Sequence, residues 1–427
     1  MTQLQFKLYI LQLVIICAVA KNNVCKNWSD YWKDDMDSNE NCTYNPDMYL
    51  NTPELLEKYF GEYDVHEIPT DDGYFVTTFR IPRDNSKGAI LFRHPAITDS
   101  ICWIGFGRES IGYYFWKNGY EIWLTNTRGT DFSTKHVNLT IDDYSFWNFS
   151  FHDIAIYDLR ASLNYIYKFN NNSKPALIAQ SMGSTEALIY ASLFPEEAKK
   201  LCEVFVLHGP PSSFQYSSVK FLGFFRPYLK EYTEREKIGD IMRRTSTISR
   251  IVNNLCGSKP DLCTTLYSMF GAGWAPGEQD PLLIPIITSQ NPRSLSIKSV
   301  LHYCQFFIDG KFNMYDYGEK NMEVYGRFTP PEYPVGEILA PIYLVHSRED
   351  EFAPLKDTER LYSKMSNSAK IYGKLLVTGM NHVDTFIGLH RNEKVHNKVL
   401  YLLNKIFAKY SNFSFHPNRL ALMKTIF

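Results

Sequence analysis

The sequence predicts an α/β protein: a mostly parallel central sheet interrupted by a mainly helical insertion. Short β-rich runs alternate with helix-period stretches from about residue 63, which is the pattern of strands joined by crossover helices. That alternation breaks over residues 212–330, where helical patterns and scattered Gly and Pro carry no convincing strand pair, and it resumes at "APIYLVHSRED" (340–350). Charge excludes one class of function. Lys plus Arg number 45 against 46 Asp plus Glu, with no basic block, so no field draws the chain to nucleic acid. An apolar fraction of 44% is that of a globular protein.

The first element, residues 1–20, reads as a secretory signal peptide: one lysine, a largely apolar run too short to span a bilayer, then Ala18-Val19-Ala20 as a cleavage site. A retained anchor is the alternative. The sequons at Asn27, Asn41, Asn138, Asn171 and Asn412 fit a glycosylated secreted chain. Asn148 also matches, but its aromatic-rich run looks partly buried. Beyond the leader seven cysteines remain, so at least one has no partner within the chain. Cys256 and Cys263, in a polar loop, make the first candidate bridge, and Cys25 with Cys42 the second. Cys102, Cys202 and Cys304 sit in apolar surroundings and read as buried thiols.

Residues 21–50 are polar, acidic and turn-rich, a loose N-terminal arm. The first part of the α/β core spans 51–211. Its strands are expected in "YDVHEIPT", "YFVTTFRIP", "GAILFRHP", "YEIWLTNTRG", "PALIAQ" and "CEVFVLHG", with a helix over 151–167. Asp72-Gly73 joins the first two as an antiparallel hairpin at the edge of the sheet. The insertion, 212–335, resembles a cap. The second part of the core, 336–410, holds the last strands and a final helix, and 411–427 is a tail.

The chemistry concentrates at "PALIAQSMGSTEALIYA" (175–191), where an apolar run stops at Ser181 and a helical pattern begins at once. Serine is favoured there as a helix N-cap. It is also the residue expected at the strand-to-helix corner of a serine hydrolase, where the positions two before and two after must be small. Ala179 and Gly183 qualify, although A-Q-S-M-G is a weakened form of G-x-S-x-G. A nucleophilic serine needs a histidine base and an orienting carboxylate, which in this arrangement follow in the order Ser, Asp/Glu, His. Asp350 ends the run "PIYLVHSRED"; Glu349 or Glu351 would replace it if the loop were out of register, while Asp357 reads as a helix-start residue. Of the later histidines, His390 and His396 fall in the last helix and His416 in the tail, whereas His382 follows the last strand directly. The oxyanion donors expected are the N–H of Met182 and, on the loop after the third strand, that of Ala96, since Pro95 has none.

These segments resemble the animal acid lipases, the gastric and lysosomal lipases and their insect relatives, from about Asn45 to about residue 408. "NTPELLEKYFGEYDVHEIPTDDGYFVTTFRIP" is similar to their N-terminal segment, "NGYEIWLTNTRGT" to their G-Y-D-V-W-x-x-N-x-R-G-N, and "FWNFSFHDIAIYDLRASLNYI" to their F-W-x-F-S-x-x-E-x-x-x-Y-D-L-P-A. "LHYCQFFIDGKFNMYDYG" and "MNHVDTFIG" match two further motifs. The resemblance implies an α/β-hydrolase fold and the same roles for Ser181, Asp350, His382, Ala96 and Met182. It also implies a lid within the cap that opens at an oil–water or membrane surface, lipid ester substrates, no cofactor, no metal and no protein helper. Two departures stand out. The family's His-Gly-Leu is here His94-Pro95-Ala96, which misforms the oxyanion site if that loop needs a positive φ at 95. Its G-H-S-Q-G is here A-Q-S-M-G, and the lost side chains should matter little. An esterase for small soluble esters, or a non-catalytic lipid carrier, are the competing expectations.

Other signals weigh less. "GAGWAPG" (271–277) has the wrong spacing for a nucleotide loop and reads as part of the cap or lid. "FLGFFRPYLKEY" (221–232) is expected to pack the cap onto the core rather than touch lipid. His94 and His208 read as structural, and the absence of H-E-x-x-H or a paired C-x-x-C set points away from a metal.

Overall fold

The computed structural model describes residues 22–411, so the expected signal peptide, Cys17, Asn412, His416 and the tail from 412 onward lie outside the described residues. An eight-stranded sheet forms the centre. In chain order its strands are β1 (Asp64–Pro69), β2 (Phe75–Ile81), β3 (Ala89–Arg93), β4 (Glu121–Thr125), β5 (Ala176–Gln180), β6 (Val204–His208), β7 (Ile342–Ser347) and β8 (Lys374–Val377). In space they run β8-β7-β6-β5-β3-β4-β2-β1. Only β1–β2 and β2–β4 pair antiparallel. The β1–β2 hairpin turns at Asp72-Gly73, where Gly73 takes a φ of +94°.

Both faces of the parallel strands are covered, which explains their unbroken apolar runs. Leu91, Trp123, Leu177, Phe205 and Leu344 point to one buried cluster, and Ile90, Ile122, Ile178, Val206 and Val345 to the other. The helices that matter below are α1 (Arg160–Phe169), α2 (Met182–Leu193), α3 (Arg226–Arg235), α4 (Thr247–Ser258), α5 (Pro260–Tyr267), α6 (Ile284–Gln290), α7 (Ile297–Asp309), α8 (Leu355–Lys364) and α9 (Asn397–Ser411). α3 to α7 make up most of the insertion, together with a short antiparallel ladder between Asp240–Ile241 and Leu295–Ser296. Ser246 and Ser296 cap α4 and α7 by accepting from the N–H groups of Ser249 and Ser299. Disulfides join Cys256 to Cys263, between α4 and α5, and Cys25 to Cys42; Cys102, Cys202 and Cys304 are buried thiols.

The structure corrects some expectations. The arm is not loose: Val24–Cys25 pairs with Cys42–Thr43, and its residues bind the insertion. The Tyr31 hydroxyl donates to Pro281 O at 2.7 Å, Trp32 Nε1–H to Asp261 Oδ2 at 2.8 Å, and Gln290 Nε2–H to Asp47 O at 2.6 Å. These partners lie more than 200 positions away in sequence, so local composition carries no trace of them. In the 221–232 segment only Gly223 is buried; Phe224 (79% exposed), Phe225 and Tyr228 (74%) face outward, while Leu229 packs inward against Ile297 and Leu301. Asn148 is exposed, because it lies between buried neighbours Trp147 and Phe149 on an irregular turn. Asn27, Asn138 and Asn171 are exposed too, and Asn41 is half-buried.

Candidate active site

β5 ends at Gln180 and α2 begins at Met182, so a single residue makes the corner. That residue, Ser181, is held at φ 53°, ψ −118°, a conformation costing about 1–3 kcal/mol for a non-glycine residue. Ser181 occupies the N-cap position, but its side chain makes no capping bond. Its Oγ–H instead donates to His382 Nε2 at 2.7 Å, and its own N–H is tied to His208 O at 2.9 Å. The small neighbours matter as expected. Ala179 is fully buried, and a Cβ on Gly183 would come within 2.5 Å of Arg93 O.

Asp350 follows β7 and lies buried behind His382, whose Nδ1 is 2.8 Å from its Oδ2. A carboxylate can only accept, so Nδ1 carries the proton and Nε2 is left free to accept from Ser181. The other carboxyl oxygen of Asp350 accepts the Ala353 N–H at 2.7 Å, which fixes its rotation. Gly209, φ +47°, passes so near that an added Cβ would lie 2.7 Å from Asp350 Oδ2 and 3.2 Å from His382 Nδ1. The competing acids are placed elsewhere. Glu349 accepts from Gly379 N–H at 2.8 Å, and Asp357, in the first turn of α8, accepts from Ser213 Oγ at 2.7 Å. His390 sits in a turn just before the last helix and bonds Glu278, while His396 bonds Asn392.

Met182 is the first residue of α2, so its N–H has no intrahelical acceptor. Ala96 lies half-buried on the loop after β3. Among the non-glycine residues of this loop the positive φ falls on Ile97 (55°), not on Pro95, so proline is compatible with the path taken here. His94 orders the loop. Its Nε2 accepts the Thr127 N–H at 3.0 Å, so the proton is on Nδ1, which donates to Pro95 O at 2.8 Å. Burial, with Arg93 beside it, lowers the His94 pKa to about 3 and keeps the ring neutral. His208 is likewise lowered to about 3 by burial.

Gln180 is the residue sequence reasoning missed. Its Nε2–H donates to His382 O at 2.6 Å and its Oε1 accepts from Thr385 Oγ1 at 3.3 Å, so it holds the histidine loop from β5, the strand that leads into Ser181. The only signal for it was its place beside Ser181. Beyond His382 a row of aromatic rings runs into the insertion: Phe352 lies 5.2 Å from the imidazole, Phe214 6.2 Å from Phe352, and Phe307 4.2 Å from Phe214, between ring centres. The insertion closes above. Ala272 O accepts the His382 N–H at 2.7 Å, and Gly273 packs so tightly on Glu349 O that any side chain there would collide. Among the described residues, no group of three or more His, Cys, Asp or Glu side chains could hold a metal ion.

A strand-to-helix corner bearing serine, in a sheet of this order, is accompanied by a match of residues 95–372 to the alpha/beta hydrolase fold family. The chain belongs to the α/β-hydrolase family. It is 28% identical to lipase member K of mouse (Mus musculus) over 84% of this chain and 92% of that one. Against gastric triacylglycerol lipase of Rattus norvegicus the figure is 27%, over 84% and 93%. A putative lysosomal acid lipase/cholesteryl ester hydrolase of Crotalus adamanteus is 26% identical, over 84% and 92%. These relatives bear out the resemblance to the acid lipases. Among solved structures, a putative lipase from Sulfolobus solfataricus superposes with a TM-score of 0.50 at 15% identity, covering 81% of this chain and 99% of the other. The α/β hydrolase GrgF from Penicillium gives the same score at 13% identity. Both speak to the fold alone.

Proposed function

We propose that the chain, a carboxylic ester hydrolase, is a secreted lipase that cleaves acyl esters of neutral lipids through an acyl-enzyme on Ser181. The observation that carries this reading is the continuous chain Ser181 Oγ–His382 Nε2–Asp350, at 2.7 and 2.8 Å, on a strained corner beside a row of aromatic rings. His382 takes the Ser181 proton as Oγ attacks the ester carbonyl, and Asp350 steadies the imidazolium. The N–H groups of Met182 and Ala96 receive the oxyanion. His382 then protonates the departing alcohol and activates water to release the fatty acid.

A lipid surface as the place of action is favoured by the exposed aromatics of 221–232 and by Ile248, Met269 and Trp274 on the same insertion, an apolar exterior that water alone disfavours. The insertion serves as the lid. Secretion is supported by two disulfides, which persist in oxidising compartments, and by relatives that include a gastric lipase. The described residues contain no helix long and apolar enough to cross a membrane.

Fluorophosphonate labelling of the full chain beside Ser181→Ala is the test. Labelling of the parent alone is expected; no labelling of a folded parent would turn the reading toward a lipid carrier. Faster hydrolysis of emulsified than of dissolved ester separates lipase from esterase.

A further inference from the structure

A fully buried ion pair joins the two elements that carry the proposed oxyanion donors. Arg93 ends β3, three residues before Ala96, and Glu186 lies on α2, five residues after Ser181. Arg93 Nε–H donates to Glu186 Oε2 at 2.6 Å, and both side chains are 0% exposed. Arg93 Nη1–H also reaches Thr125 Oγ1 on β4 at 3.3 Å. The pair is incompletely satisfied, since Arg93 Nη2 and Glu186 Oε1 have no partner among the described residues. Removing two charges from water costs several kcal/mol per ion, and packed apolar side chains commonly serve stability as well or better. Cohesion is therefore a poor account of it.

Geometry gives a better one. The guanidinium–carboxylate contact is directional and sets a fixed spacing between β3 and α2. That spacing is already minimal, because only the lack of a side chain on Gly183 lets α2 approach Arg93 O. Beyond Arg93, His94 holds the Pro95 carbonyl. In a trans peptide the C=O and the following N–H point in opposite directions, so fixing Pro95 O also fixes the aim of the Ala96 N–H. The loop donor is thus aimed by His94, and its distance from the helix donor is set by Arg93 and Glu186.

We propose that Arg93 and Glu186 form a positioning pair that holds the Ala96 and Met182 N–H groups at the separation a developing oxyanion requires. This rests on the proposed function and adds to it residues that never touch substrate. Donors aimed at a transition-state oxygen contribute little to ground-state binding, so loss of the pair acts on kcat rather than KM.

The test compares the full chain with Glu186→Gln, which removes the charge at constant shape, and with the apolar double variant Arg93→Met/Glu186→Leu. Turnover of a dissolved short-chain nitrophenyl ester, the fluorophosphonate labelling rate and the thermal midpoint are measured for each. Expected is a fall in kcat of about 10–100-fold in both variants, the scale of an ångström-level misplacement. KM should stay within about twofold, labelling should slow in parallel, and the double variant should melt no lower than the parent. A labelling parent with an equally active double variant would overturn the pair's role alone, as would a rise in KM at constant kcat. If the double variant does not fold, Glu186→Gln decides on the same split. A parent without Ser181-dependent labelling would overturn the proposed function, and this role with it.

Discussion

The floor of the site and its roof are held by opposite means. Beneath Ser181 the contacts are buried and directional: His208 O on the serine N–H, Gln180 on the His382 carbonyl, Arg93 on Glu186. In the roof, residues 272–278 meet the core through polar contacts, Ala272 with His382 and Glu278 with His390 and Lys394, beside the exposed Met269 and Trp274, whereas the rest of the insertion shares buried apolar clusters with the core. A floor of this kind resists displacement, whereas a short strip held by polar contacts exchanges them for water at modest cost. The difference suits a reaction in which donors must stay within tenths of an ångström while the substrate must still be let in.

The largest effect is expected at the floor. Ser181→Ala should lower ester turnover by at least about 10³-fold while leaving the thermal midpoint within a few degrees, because it removes one half-buried oxygen and leaves the packing of the corner in place. A variant that retained more than a tenth of parental turnover would move the chemistry off this corner.

Acid separates the regions by sign. Asp384, 1% exposed beside His382, accepts the Asn381 N–H at 2.8 Å, yet burial pushes its carboxyl up to about 7. A raised carboxyl contributes stability that is fully present below its unfolded value near 3.8 and is lost as pH rises through about 7. Urea unfolding should therefore show the parent losing stability relative to Asp384→Asn as pH rises from 4 to 7, by on the order of 4 kcal/mol at most. A constant difference would remove Asp384 from the account. Glu278 in the roof has the reverse sign. Burial pushes it up, but the Lys394 ammonium and the His390 contacts outweigh burial and bring it below the usual carboxylate range. Its latch is thus present at neutral pH and released in strong acid.

Gln180 tests whether the floor extends to side chains the sequence left unmarked. Gln180→Ala would leave the His382 carbonyl buried without its donor, a loss of about 1–3 kcal/mol in stability. A kcat about tenfold lower is expected as the histidine loop loosens. Chemical denaturation and steady-state kinetics check the two effects separately.

How much was legible follows the same division. Strand runs, the hairpin at Asp72-Gly73 and the order Ser181, Asp350, His382 are local or ordinal signals, and each lies where its pattern placed it. The pairing of Cys25 with Cys42, ranked second, forms beside the first. What was illegible depends on partners distant in the chain. Nothing near Tyr31 announces Pro281, nothing near Arg93 announces Glu186, and the aromatics of 221–232 carry no local mark of whether a surface will cover them. Pro95 raised a local conflict that does not arise, since the positive φ of this loop falls on Ile97.

The smallest effect should come from the roof. Glu278 is buried in the insertion, with Lys394 Nζ at 2.6 Å and the His390 N–H at 2.9 Å, both from the core. Glu278→Gln keeps the shape and the backbone bond from Leu389 N–H to the Glu278 carbonyl but removes the charge. Because the Lys394 end is a third exposed, the loss is only about 1–2 kcal/mol, or roughly 5–30-fold in the balance between closed and open roof. Turnover of dissolved esters should rise by up to that factor, while emulsified substrate, whose surface already rewards the outward aromatics, gains much less. If dissolved and emulsified rates rose together, the latch would be acting on the chemistry and not on access. If neither rose, the contacts of Ala272 and Gly273 with the histidine loop would hold the roof without it.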